Sequence, residues 1–493
     1  MTSKRLLLLL ILTLGSLLVH GYHPWAEDAE IYLPGVEKLL QANLFPFGAE
    51  FFQSHASLTL FPNLLAALVR ITHLPLEPLL FLVHLASIFL LLLACWELSG
   101  HCFVALRARW AGVALIASLL TLPVAGTALY IMDQYVNPRN LTAFALIFSI
   151  AKVLDRKYLQ AAPFLIFAAA IHPFMSVFAL FFCCLLIGME RFSLRFGSFA
   201  SILPFGAIFE LPSKAYHQVA LSHPNHYLLR WQWYEWLGIV APLGVLWWFG
   251  RVAASKQQKK LELLCFTLIP YQIISTLAAL TLSIPARLES MARIQPLRSL
   301  DLLYILLFVT GGGFFGEYVL RNHVWRWLVL FLPLCGGMFA AQRALFPASA
   351  HVEWPGAPPE NPWAQAFVWI RQNTAPHAIF ALDPFHMQIP GEDANGFRAI
   401  AQRSMLADAV KDSGAVSMFP PMAEEWQKEV VAQRGWRSFQ STDLGKLWIK
   451  YNVSWVVLQR PGIGGLYCPY QNKAVLVCPN PALEMAFVRS EWQ

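Results

Sequence analysis

Stretches of up to about twenty predominantly apolar residues recur along this chain, and they restrict its fold more than any other feature. A helix rises 1.5 Å per residue, so roughly 20 residues cross ~30 Å of hydrocarbon. Residues 79–98, 111–130 and 261–282 are runs of this kind, and shorter ones lie between and after them. With 57% of residues hydrophobic, 13% charged and a mean hydropathy of +0.51, an ordinary soluble domain is excluded. The net charge of +7 does not signal nucleic acid. Its Lys and Arg are scattered between apolar runs, as in cytoplasmic loops, and form no binding stripe.

Lys4 and Arg5 precede the first run, 6–19, in the manner of a signal peptide. In a chain with many later spans it reads better as an uncleaved first span with its N-terminus in the cytoplasm. Further spans are expected at 141–154, 159–172, 174–189, 196–209, 233–249, 300–316 and 324–339, about eleven crossings in all. The run 58–71 is short and has Pro62 near its start. If it lies in the interface or re-enters, five basic loops all fall in the cytoplasm: Arg107 and Arg109; Lys152, Arg156 and Lys157; Arg191 and Arg195; Arg251, Lys256, Lys259 and Lys260; Arg321 and Arg326. If it crosses, most of those loops flip outward. The first arrangement puts the chain in the cytoplasmic (inner) membrane with its tail outside. The break at His172 and Pro173 separates two short spans or kinks one long helix.

Two domains are expected: a transmembrane helical domain at 1–345, with an acidic outer loop at 22–56, and an extracytoplasmic α/β domain at 346–493. In the tail, Asn361 followed by Pro362 is a helix start for 363–372. Short apolar segments at 378–382, 453–458 and 474–477 read as strands. Cys95, Cys102, Cys183, Cys184, Cys265 and Cys335 lie in or beside apolar runs and show no metal-ligand spacing. Cys468 and Cys478, in the polar tail, suit a disulfide in an oxidising compartment.

Residues 23–30 read HPWAEDAE, so Glu27, Asp28 and Glu30 sit within a few residues of a membrane surface. An anionic headgroup layer disfavours acids there. They mark the water boundary, or they form a catalytic cluster at the mouth of a membrane cavity. In a helix Glu27 and Glu30 share a face, Asp28 points elsewhere, and Tyr32 follows one turn after Asp28. Asp133 is a second isolated outer carboxylate, with Arg139 close by. The loop holding Arg287, Glu289, Arg293 and Arg298 breaks the positive-inside pattern; arginine forks suit phosphate oxygens, although headgroup pairing serves as well. Trp231, Trp233, Tyr234 and Trp236 form an interfacial belt or a stacking wall for a sugar or isoprenoid. His223 and His226, with Asp28, could bind a metal, but surface histidines beside Pro224 explain them more simply.

The short first span, the outer loop with Asp28 and Tyr32 in an Asp-x-x-x-Tyr spacing, the following spans and the α/β tail together resemble the GT-C class of membrane glycosyltransferases. The stretches WIRQNT at 369–374 and AIFALD at 378–383 are similar to the start of the tail domain in bacterial members. The resemblance implies sugar transfer, with inversion, from a polyprenyl-phosphate donor to a glycan or lipid acceptor outside the cytoplasm. In that class an acid of the first outer loop is general base or metal ligand. By position the role falls on Asp28, with Glu27 and Glu30 as competitors and Asp133 as the later acid. Arg139, Arg287, Arg293, Arg298, Tyr32 and Trp233 are the expected substrate contacts. No metal ligand is assigned; a divalent metal is the one cofactor left open. The motif is not a clean single-Asp form, and no oligosaccharyltransferase or O-mannosyltransferase hallmark is recognisable.

Two rivals use the same residues differently. A transporter or flippase for a lipid-linked head group needs the arginines but not Asp28, and should show two similar halves, which the sequence lacks. A non-enzymatic assembly protein would bind a partner through its tail domain.

Overall fold

The computed structural model describes residues 2–192, 212–284 and 286–482. The expected span at 196–209 and Arg195 lie outside the described residues. Seven helices among the described residues are long and apolar enough to cross a membrane: Ser3–His20, Leu76–Cys102, Pro173–Arg191, Trp233–Ser255, Lys259–Ser283, Leu288–Leu320 and Val324–Leu345. The chain is thus a multi-pass helical membrane protein with a small C-terminal α/β region.

Contacts divide it into two compact units. The first comprises Met1–Tyr22, Leu80–Ser213 and His223–Gln342; the second comprises His23–Leu79, Lys214–Ser222 and Arg343–Gln493. The division is not linear along the sequence: the acidic segment groups with the tail rather than with the spans it connects. Helix Phe61–Thr72 also belongs to the second unit, packed on Ala29–Leu40. Its 12 residues reach only ~18 Å, too short for a crossing.

In the first unit the run expected to span 111–130 stops at Ser118, the end of helix Leu106–Ser118. Pro123 lacks the N–H that a continuing helix needs, and Ala125 and Ala128 take left-handed backbone. The freed backbone groups pair locally, with the Val124 N–H on the Leu129 carbonyl (2.8 Å) and the Met132 N–H on the Leu120 carbonyl (2.8 Å). Irregular backbone buried among helices needs that kind of compensation. Asn137 caps the next helix, Pro138–Leu154, by accepting the Asn140 N–H at 2.8 Å. At His172 the chain leaves helical geometry, so Tyr158–Ile171 and Pro173–Phe192 are separate helices.

Glycines bring two helices of this unit to backbone contact. A Cβ on Gly112 would lie 2.6 Å from the Val309 carbonyl oxygen, and one on Gly312 2.6 Å from the Ala111 carbonyl oxygen. Helices Leu106–Ser118 and Ser299–Phe314 therefore pack through small residues, the usual basis of helix association where water supplies no driving force.

In the tail, Asn361 accepts the Trp363 N–H (2.8 Å) and starts helix Pro362–Asn373. The strands are β1 (Ile379–Ala381), β2 (Ser404–Met405), β3 (Trp455–Gln459), β4 (Tyr470–Gln471) and β5 (Val475–Pro479), in the order β2-β1-β3-β5-β4. β1 runs parallel to β2 and β3, while β5 is antiparallel to β3 and β4. Alternation along β3 sends Val457 to one face, with Trp363, Phe367 and Ile370, and Val456 and Leu458 to the other, with Leu444 and Leu447. Cys468 and Cys478 are joined by a disulfide.

Gly312→Ala is expected to lower stability by roughly 2 kcal/mol or more, since backbone must move to admit the methyl group. Gly336→Ala, at a helix position with nothing within 4 Å of the new Cβ, should be neutral or stabilising by up to ~1 kcal/mol. Thermal unfolding of the full chain in detergent compares the two, and equal effects would contradict the close-packing account.

Candidate functional site

Two groups of buried or half-buried charges stand out, one in each unit. In the second unit the acidic segment pairs with residues 394–396 as a short antiparallel bridge between Ala26 and Asn395. The Glu27 N–H donates to the Ala394 carbonyl and the Gly396 N–H to the Trp25 carbonyl, both at 2.8 Å. Glu27 takes left-handed backbone (φ 57°), and helix Ala29–Leu40 begins just after Asp28. The expectation that Glu27 and Glu30 share a helical face does not hold, because Glu27 precedes the helix. Instead Glu27 and Asp28 converge on one cation. The Lys411 ammonium donates to Asp28 Oδ1 at 2.8 Å and to Glu27 Oε2. The two carboxylates stay 43% and 44% exposed, whereas the lysine side chain is 13% exposed.

Glu30 goes the other way. It is buried, accepting from Arg398 Nη1 and from the Ala399 N–H, each at 3.2 Å. Arg398, also buried, forks onto Asp412 at 2.9 and 2.8 Å, and Asp408 Oδ2 lies 3.9 Å away. Gly396 is obligatory here: a Cβ would meet Glu30 Oε2 at 2.6 Å. Burial pushes the Glu30 carboxyl up to about 8, opposed by Arg398 and helped by Asp408 and Asp412. Burial likewise raises Asp412 to about 6, against the pull of Arg398. Burial works against the charges of Arg398 and Lys411, but their carboxylate partners outweigh it and hold both above their usual values. Three carboxylates share one guanidinium, so Glu30 keeps its proton more tightly than an exposed glutamate does. Tyr32 packs edge-on against His55 and Phe61.

In the first unit Asp133 accepts from Arg139 and Asn137. Arg139 also donates to the Tyr130 carbonyl and lies 3.6 Å from Asp301 Oδ1. All three ionisable side chains are buried. Asn140 spans the loop by donating to the carbonyls of Asp133 (3.1 Å) and Tyr135 (3.0 Å). Asp301 was missed in the sequence, although a lone acid opening a long apolar run was a signal. Arg298 donates to Gln295 and lies within electrostatic range of Asp301 and His226. Burial, His223 and Arg298 together hold His226 well below its usual value, and the two imidazoles stack at 5.1 Å. Arg293 is half-buried in the helical turn Ala286–Ile294. The Arg287 side chain is outside the described residues. Trp233 is 75% exposed, edge-on to Tyr234 at the start of its helix.

A divalent metal at the acidic segment would need several oxygen ligands at about 2.0–2.6 Å. Glu27 and Asp28 already hold an ammonium, and Glu30 is turned to Arg398, so this donor set does not fit a metal as it stands. Among the described residues no three His, Cys, Asp or Glu side chains form a metal-holding group.

No family model matches the sequence, and no curated protein matches it. Among the solved structures that the chain resembles is one titled as the archaeal oligosaccharyltransferase AglB from Archaeoglobus fulgidus in complex with an inhibitory peptide and a dolichol-phosphate. The two are 13% identical with a TM-score of 0.41, over 93% of this chain and 69% of that one.

Glu30 gives a pH prediction. Its folded pKa is raised, so the stability it contributes is full below its ordinary value of 4.5 and is lost as pH rises through about 8. Proteolytic resistance of the tail in the full chain should fall as pH rises from about 5 to about 8 and level off above that, and Glu30→Gln should flatten that fall. Arg398→Met strands the buried carboxylates and should cost about 3–5 kcal/mol. An unchanged alkaline profile in Glu30→Gln would contradict the assignment.

Proposed function

We propose that the chain is a membrane glycosyltransferase that moves a hexose or pentose, with inversion, from a polyprenyl-phosphate donor to a glycan or lipid acceptor on the extracytoplasmic side. The observation that carries this reading is the Glu27–Asp28 pair, two carboxylates kept half-exposed on a scaffold of buried ion pairs. A mere water-boundary marker needs no such scaffold. The resemblance of the sequence to GT-C enzymes supports the same role for this segment.

Asp28 accepts the proton of an acceptor hydroxyl, whose oxygen attacks the anomeric carbon from the side opposite the phosphate. The bond from the anomeric carbon to the phosphate oxygen breaks, and polyprenyl phosphate leaves with the electron pair. The charge developing on that phosphate calls for cationic partners, the part that the sequence suggests for Arg293 and Arg298. Glu30 fits a structural part better than a catalytic one, since both its oxygens are engaged in the interior. Arg139, between Asp133 and Asp301, similarly suits ordering of the 119–137 loop. Tyr32 and Trp233 offer aromatic faces for sugar or lipid.

Asp28→Asn should reduce turnover by a factor of ~10² or more with donor binding nearly intact, whereas Arg293→Ala or Arg298→Ala should weaken donor binding. Unchanged transfer in Asp28→Asn and Glu27→Gln alike would remove the proposed base. The orientation has its own test. The loop at 251–260 should be cytoplasmic and the tail extracytoplasmic, so cysteines placed at the exposed positions Ser255 and Ser441 should label from opposite sides. Labelling of both from one side would overturn that topology.

A further inference from the structure

The GT-C resemblance leaves open a metal at the acidic loop, and the geometry of Lys411 bears on that place. Its ammonium sits between Glu27 and Asp28, 2.8 Å from Asp28 Oδ1 and in contact with Glu27. It is not a swinging surface lysine. Its side chain is mostly buried, and its own N–H donates to Asp408 Oδ1 at 2.5 Å. The next residue, Asp412, is forked by Arg398 and also accepts the Asp408 N–H at 2.9 Å. The lysine is therefore anchored from both sides by the same buried cluster that holds Glu30. A divalent ion placed on Glu27 and Asp28 would face a fixed positive charge within about 3 Å of its ligands, and could recruit no third carboxylate from this segment.

We infer that Lys411 is a built-in counter-cation that takes the metal's place at the acidic loop, positioning Asp28 and Glu27 so that the loop works without a divalent ion. This rests on the glycosyl-transfer reading for its purpose, but not for its test. Held by the ammonium, Asp28 and Glu27 keep carboxylate oxygens half-exposed for an approaching hydroxyl proton, whereas a metal on the same oxygens would occupy them. Lys411 touches neither donor nor acceptor in this scheme; it acts through Asp28.

The test measures Mn2+ uptake by the purified full-length chain, using the electron paramagnetic resonance signal of the free ion. Wild type should show no Mn2+ uptake that Asp28→Asn removes. Lys411→Met should gain a bound Mn2+ that is lost again when Asp28→Asn or Glu27→Gln is added, and Lys411→Arg, which keeps the charge, should gain none. Mn2+ bound by wild type in a manner sensitive to Asp28→Asn overturns the inference, as does a folded Lys411→Met chain that takes up none. Should Lys411→Met fail to fold, zero-length carbodiimide coupling of wild type decides. A Lys411 cross-link to Glu27 or Asp28 that survives saturating Mn2+ supports the inference, and one that Mn2+ abolishes overturns it. Polyprenyl-phosphate release lost on chelation and restored by Mn2+ would refute the inference and leave glycosyl transfer standing. No release from any form would sink glycosyl transfer and leave the Mn2+ result to stand alone.

Discussion

A guanidinium with almost no access to water needs acceptors, and Arg398 finds them for its two terminal nitrogens in residues far apart in the chain. Asp412 supplies a fork, Glu30 reaches in from 368 residues away, and Asp408 stands behind. Removing Arg398 would leave several carboxylates uncompensated in the interior, which costs far more than the intact cluster gains. The consequence is that residues 23–30 hold one position against 394–412. Gly396 allows the close approach, and Lys411 gathers the two carboxylates that the cluster leaves outside. Glu27 and Asp28 are therefore placed by an interior they do not belong to.

The first unit answers a different constraint. Its helices associate where water gives little help, so contact comes from Gly112 and Gly312 meeting backbone rather than from bulky side chains. The loop after Ser118 is non-helical, and its polar groups are absorbed by local hydrogen bonds and by the Asp133, Arg139 and Asp301 group. Buried charge in both units serves to fix irregular backbone beside regular helices. Glu30 and Arg139 both read as exposed functional groups in the sequence for that reason, since a linear chain does not reveal which charges have partners.

Much of the architecture was legible because it is local. The Asn361 cap, the three main strands of the tail and the Cys468–Cys478 pair follow from patterns within about a dozen residues, and the long apolar spans from patterns within about twenty to thirty. The break at Ser118 was hidden because a hydropathy window weighs Pro123 as one residue among twenty, while its ring and missing N–H make it decisive. The sorting of Glu27, Asp28 and Glu30 was beyond reach for another cause. It depends on Arg398 and Lys411, whose proximity is set by tertiary packing, and no periodicity along the chain encodes it. Asp301 could have been found by asking why an acid opens an apolar helix.

Glycosyl transfer stands or falls on a single chemical event, cleavage of the bond between sugar and lipid phosphate. The purified chain should be incubated with polyprenyl-phosphate-linked sugars labelled in both lipid and sugar, extracted from membranes together with candidate acceptors. Appearance of free polyprenyl phosphate, with the sugar label moving to a second molecule, is the expected result. Movement of the intact labelled donor across a vesicle membrane, with no cleavage at all, would contradict it and make the chain a carrier of lipid-linked head groups.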